Sequence, residues 1–151
     1  MLLSRSNPGL PTILTDTREQ LEYSFDPRLA ATERRALPAG DYSVAGLESV
    51  VAVERKSLDD FVSTFIHSRE RFYRELRKLS EYRAACVVVE GSVLDVLQRR
   101  YHGEAHPSAV LGSALAIVLD FRIPVFFCSS RQAACHFAQA YLLAAHKRWS
   151  E

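Results

Sequence analysis

Residues 51–61 read VAVERKSLDDF. Val51, Ala52 and Val53, preceded by Val50, predict a strand buried on both sides. The run then breaks into Glu54, Arg55 and Lys56, with Asp59 and Asp60 following. A surface strand would place its charges on alternate positions. Here a buried strand ends in acid and base together. Because side chains alternate along a strand, Glu54 and Lys56 share one face and Arg55 takes the other. After Ser57 the period changes. Leu58, Phe61, Val62, Phe65 and Ile66 fall at helical spacing. Ser57 is the predicted N-cap, with Asp60 reaching back to it as in a capping box.

Working outward, PTILT (11–15) predicts a short buried strand ending at Asp16. DYSVAG (41–46) predicts a second, beginning at Asp41. The polar stretch between them, 21–40, reads as loop, with Pro38 and Gly40 as turn residues. Downstream, SRERFYRELRKLSEY (68–82) predicts a helix with Phe72, Leu76 and Leu79 on its apolar face. AACVVVEG (84–91) predicts a strand and SVLDVLQRR (92–100) a short helix. Pro107 opens a helix over 107–121 that is apolar on two sides: Val110, Ala114, Ile117, Val118 and Phe121 on one, Leu111, Leu115 and Leu119 on the other. Such a helix should be covered on both. IPVFFCS (123–129) predicts a last strand. The helix after it, 130–148, carries Ala134, Phe137, Ala138, Tyr141, Leu142 and Ala145 on one stripe. This order of elements predicts an α/β sheet with helices on both faces.

The 151 residues suffice for one domain with a true core. A net charge of +1 excludes a globally basic nucleic-acid binder but not a local basic patch beside an acidic site. Cys86, Cys128 and Cys135 lack metal-type spacing and predict reduced, buried thiols in a cytosolic protein. No apolar run reaches the ~18 residues of a membrane span, and the start, MLLSRSNPG, is too short in apolar residues for a signal peptide.

Three carboxylates stand at strand ends: Asp16, Asp41 and Glu54. Paired strands lie ~4.8 Å apart, so these acids can converge. Converging carboxylates repel and raise one another's pKa, and a divalent cation relieves them. Few, hard oxygen ligands suit Mg²⁺ or Mn²⁺. Lys56, beside Glu54, supplies a cation for an attacking hydroxide or a phosphorane-like transition state. The pattern is what metal-dependent phosphodiester hydrolysis requires.

The segments DTRE (16–19), GDY (40–42) and ERKSLDD (54–60), in that order, resemble the signatures of the nuclease domain of XPF-type, structure-specific DNA endonucleases. RFYRELRKL and AACVVVEG are similar to that family's arginine-bearing helix and following strand. The resemblance spans roughly residues 12–145. It implies a restriction-endonuclease-like fold with a central mixed sheet and a PD-(D/E)xK active site. Asp16, Asp41 and Glu54 would be metal ligands for Mg²⁺ or Mn²⁺, and Lys56 the catalytic lysine. Arg55 would hold the site together or contact phosphate. Arg18 and Glu19 would stand behind the ligands or face DNA, and Tyr42 would pack beneath the site. Asp60 would anchor its helix, pairing with Arg55, and Arg69 would reach the DNA backbone.

The resemblance further implies a DNA endonuclease of repair or recombination acting on branched or flap DNA. It also implies a homodimer formed by the late helices and last strand, in the cytoplasm or, in a eukaryote, the nucleus. Residues 1–151 are expected to form one nuclease domain behind a flexible lead-in of 1–10. The family's usual helix-hairpin-helix module and occasional helicase are not in the sequence. Other readings weigh against these. Glu54 and Lys56 could form a same-face ion pair on an exposed strand. The arginines at 69, 71, 74 and 77 could be a solvated face. His102 and His106 flank a loop and could suggest a metal, although exposed loop histidines are commoner. A non-catalytic DNA-binding subunit and a restriction-type nuclease are the alternative functions.

Overall fold

The computed structural model describes residues 9–150; most of the expected lead-in, residues 1–8, lies outside the described residues. Six strands form one mixed sheet, in the order β2-β1-β3-β4-β5-β6. They are β1 (Thr12–Thr15), β2 (Ala31–Arg34), β3 (Tyr42–Val44), β4 (Val51–Ser57), β5 (Ala84–Glu90) and β6 (Val125–Cys128). β3 runs antiparallel to both β1 and β4; the remaining pairs are parallel. β4 is central. It pairs with β5 from Val51↔Ala84 to Ser57↔Glu90, as its valine-rich sequence predicts.

The two faces of β4 enter different cores. Ala52 packs with α1 (Leu58–His67), α2 (Arg69–Leu79) and α4 (Pro107–Asp120). Val51 and Val53 pack with Tyr23, Phe25, Tyr42 and α5 (Arg131–Trp149). Ala134, Ala138 and Ala145 let α5 lie close across β4, β5 and β6. α2 buries Phe72, Leu76 and Leu79 as predicted. A short α3 (Val93–Leu97) carries a complete Ser92–Asp95 capping box.

Three expectations are corrected. Residues 21–40 are not all loop: β2 adds a parallel edge strand beside β1. Its sequence, ATER, has no apolar alternation because three of its four residues face solvent. Its charge instead protects an open edge, with Arg35 bonding Glu33 and Glu48 at 2.9 and 2.8 Å. Second, α4 is covered on one side only. Val110, Ala114 and Ile117 are buried, while Leu115 and Leu119 are 55% and 72% exposed. Third, α1 has half a capping box. The Ser57 Oγ accepts the Asp60 N–H at 3.0 Å, but no return bond from the Asp60 carboxylate forms. Ser57 is still the last residue of β4, paired with Glu90, rather than a free cap residue.

Candidate active site

Main-chain bonds gather the acids at one end of the sheet. The Asp16 N–H donates to the Asp41 carbonyl at 2.8 Å, and the Asp41 N–H to the Val53 carbonyl at 2.8 Å. Residues 16, 41 and 54 thus stand on neighbouring strand ends. Gly40 makes the approach possible. Its φ is +78°, and a Cβ there would meet the Ala52 Cβ at 3.1 Å and the Val53 carbonyl oxygen at 3.3 Å.

Asp41 is fixed by its Oδ2, which accepts the Arg55 N–H at 2.8 Å. Burial pushes its carboxyl above the usual range, against that N–H, and the charge of Glu19 adds to the rise. Burial, then the charge of Asp41, push Glu54 up as well, with Lys56 opposing. Lys56 Nζ lies 3.6 Å from Glu54 Oε2 and 4.9 Å from the centre of the Phe72 ring. The aromatic face and the acid together hold the ammonium over the site. Glu54 and Lys56 do share one face, and Arg55 takes the other.

Asp16 is engaged by its own turn and by Leu37. Its Oδ1 accepts the Leu37 N–H at 2.8 Å. Its Oδ2 accepts both the Arg18 N–H, at 3.1 Å, and the Arg18 Nε, at 2.6 Å. Burial would raise its carboxyl, but the Arg18 side chain and these N–H groups outweigh it and hold it below the usual range. Among the described residues no three His, Cys, Asp or Glu side chains gather closely enough to hold an ion. The reason lies in the Asp-x-Arg turn, which closes on itself. The pair that does adjoin, Asp41 and Glu54, fits an ion that keeps most of its water shell. Two half-buried oxygen donors that resist ionising together are the groups a +2 charge relieves.

Behind the sheet lies a second network. Glu90, 8% exposed, accepts from Arg55 Nε at 2.8 Å, from the Tyr23 hydroxyl at 2.5 Å and from Arg131 Nη1 at 3.4 Å. Arg55 also lies 3.6 Å from Glu19. Tyr42 lies in the same network. It stacks on Tyr23 with ring centres 5.3 Å apart, accepts the Tyr23 N–H at 2.8 Å and donates to Glu19 at 3.5 Å. Arg55 therefore braces the site instead of reaching solvent, and its expected partner Asp60 is exposed on α1. The nearer of the two anions that pair with Arg55, Glu90, comes from β5, 35 residues on, at a distance that no local spacing signals. Glu75, on α2, was equally unmarked. Its charge reaches both Glu54 and Arg18, one turn beyond the Phe72 that supports Lys56.

The remaining candidates are peripheral. Arg69 opens α2 and is exposed. His102 pairs with Asp59 at 2.8 Å, and His106 caps α4 by accepting the Ser108 N–H at 3.1 Å. Cys86 and Cys128 are buried free thiols, and Cys135 is half-buried.

Comparison with known proteins bears on this geometry. The profile of the ERCC4 domain matches residues 15–141. A protein of Methanocaldococcus jannaschii named as an ATP-dependent RNA helicase is 32% identical over 120 residues. That alignment covers 80% of this chain and 14% of the relative, so the chain spans about a seventh of its length. XPF from Aeropyrum pernix superposes with a TM-score of 0.69 at 23% identity, covering 93% of this chain and 67% of that one. The same protein in complex with DNA superposes with a TM-score of 0.69 at 22% identity, covering 93% and 68%. These superpositions establish that the chain shares the mixed α/β fold of that protein. With the profile covering most of the sequence, the chain belongs to the ERCC4 domain family.

Proposed function

We propose that this chain is a divalent-metal-dependent DNA endonuclease, acting on branched, flap or junction DNA in repair or recombination. The observation that carries the reading is the adjoining, half-buried pair of Asp41 and Glu54 with Lys56 beside it. A structural sheet gains nothing from two acids that resist ionisation at a strand end. Asp41 and Glu54 would hold Mg²⁺ or Mn²⁺, and the bound ion would polarise the scissile phosphate and acidify a water. Lys56, clamped between Glu54 and Phe72, presents its ammonium to the attacking oxygen or the developing phosphate charge. The Arg55 main chain orients Asp41, and Glu19 and Glu90 steady Arg55 from behind. Arg69 would contact a backbone phosphate. DNA as substrate is supported by the superposed XPF complex and by the family. The intact acids weigh against a non-catalytic subunit, and cleavage of linear duplex at a fixed sequence would identify a restriction-type enzyme instead. Action in the cytoplasm, or in a nucleus, accords with the reduced thiols.

The uncovered face of α4 supports a homodimer, in which a second copy would cover Leu115 and Leu119. Light scattering of the wild type should then give a dimer mass and Leu119→Glu a monomer.

The chain, incubated with flap, fork, junction and plain duplex DNA, should nick the branched substrates with Mg²⁺ or Mn²⁺ and none with EDTA. Lys56→Ala should abolish turnover while retaining DNA binding. Metal-dependent cleavage that survives this substitution would refute the assignment.

A further inference from the structure

Among the described residues, Arg18 is a cation held at the cluster of acids by one end only. Its side chain is 69% exposed, beside an Asp16 side chain that is 2% exposed. The charges of Asp16, Asp41 and Glu75, from β1's end, β3's end and α2, all act on it. Its Nε is committed to Asp16, but Nη2 makes only a 3.4 Å bond to the Leu37 carbonyl. Arg55 differs: it is 9% exposed and held by two carboxylates. Arg18 therefore occupies the acid that a further cation would need, on a side chain free to turn towards solvent.

We propose that Arg18 is an exchangeable positioning residue that keeps Asp16 closed until a DNA phosphate takes the guanidinium. This rests on the reading of Asp41 and Glu54 as metal ligands. The chemistry favours the exchange. A phosphate accepts a guanidinium bidentately through two parallel bonds, whereas Asp16 receives only the Nε of Arg18's side chain. Once Arg18 leaves, Asp16 keeps the N–H groups of Leu37 and residue 18 and regains open lone pairs beside Asp41. A divalent cation can then take the place of the guanidinium on the freed carboxylate oxygen. DNA binding and occupancy of Asp16 by a divalent ion are then coupled in the positive sense, and the coupling is reciprocal. The site would hold its full complement of cations only with a nucleic acid strand in place.

The test is calorimetric titration of the full chain with Ca²⁺, with and without a short flap oligonucleotide. Wild type should show weak binding by Asp41 and Glu54 alone. Saturating DNA should strengthen Ca²⁺ binding or add a second site, by about tenfold within the usual range of coupling energies. Arg18→Gln should show the stronger binding without DNA and lose the DNA effect. Arg18→Lys should keep much of the coupling, since a point charge still pairs with either anion. Thermal unfolding of each variant confirms that it is folded. The added affinity in Arg18→Gln should vanish in Arg18→Gln/Asp16→Asn. Unchanged Ca²⁺ binding in Arg18→Gln, with wild type still binding Ca²⁺ through Asp41 and Glu54, overturns the proposal and leaves the metal site standing. A wild type that binds no Ca²⁺ under either condition overturns both.

Discussion

Removing Glu90 should unbalance the molecule more than any substitution among the exposed acids. Its carboxylate answers Arg55, Tyr23 and Arg131 at once, and both Glu90 and Arg55 are less than a tenth exposed. Glu90→Ala leaves a buried guanidinium whose nearest remaining anion is Glu19, at 3.6 Å. Breaking one side of a buried ion pair costs about 3–5 kcal/mol. Glu19 remains, so the lower end applies, about 3 kcal/mol or roughly 6–12 °C in Tm for a chain of this size. Glu90→Gln keeps an acceptor for the Tyr23 hydroxyl but not the charge, and should lose about half as much. Urea and thermal unfolding of Glu90→Ala, Arg55→Met and the double variant measure the coupling. The double variant should recover at least about 1 kcal/mol over the sum of the single losses, because no charge is left unpaired. Strictly additive losses, or Glu90→Ala within about 1 kcal/mol of wild type, would refute the assignment of Glu90 as the counter-charge.

Other expectations concern the site itself. Asp41 and Glu54 are pushed up to about 6 and about 8 by burial. Raised carboxyl pKa values favour the folded state while protonated, so stability should fall as pH rises above the ordinary carboxylate range and level off only near pH 8. Mn²⁺ should restore it, raising Tm more at pH 8 than at pH 6, and an equal rise at both would contradict the assignment. Asp16, held low, has the opposite sign: its contribution is present at neutral pH and fades as the solution becomes more acidic than the usual carboxylate range. Gly40→Ala should cost about 1–2 kcal/mol in backbone strain, more with the 3.1 Å contact to Ala52, and should weaken Mn²⁺ binding by displacing Asp41; unchanged thermal stability would contradict this.

Much of this was legible in the sequence because it is local. Period two placed Glu54 and Lys56 on one face of β4, and period 3.6 placed Phe61 and Phe65 in α1 and Phe72 and Leu76 in α2. β2 was hidden because an edge strand with three exposed residues has no apolar alternation to betray it. The convergence of acids was readable only in part. Strand spacing brought residues 16, 41 and 54 to adjacent ends, but which carboxylate is free depends on hydrogen bonds that spacing does not encode. Asp16 spends its oxygens on Leu37 and Arg18. Glu90 carried no mark at all, since a lone glutamate ending a valine strand gains its meaning only from Arg55 on the next strand and Arg131 on α5.

The division of labour across β4 has a consequence for how relatives should be compared. Glu54 and Lys56 point to solvent chemistry, whereas Arg55 and Glu90 tie loop 16–23, β3, β4, β5 and α5 into one body. On the proposed function, selection on turnover and selection on foldability act on alternate letters of a single word. A descendant that abandons catalysis is free to lose the outer letters of E-R-K but must keep the middle one. Retention of that arginine is then a record of architecture alone, and inactive binding probes are best made at position 54 or 56, never at 55.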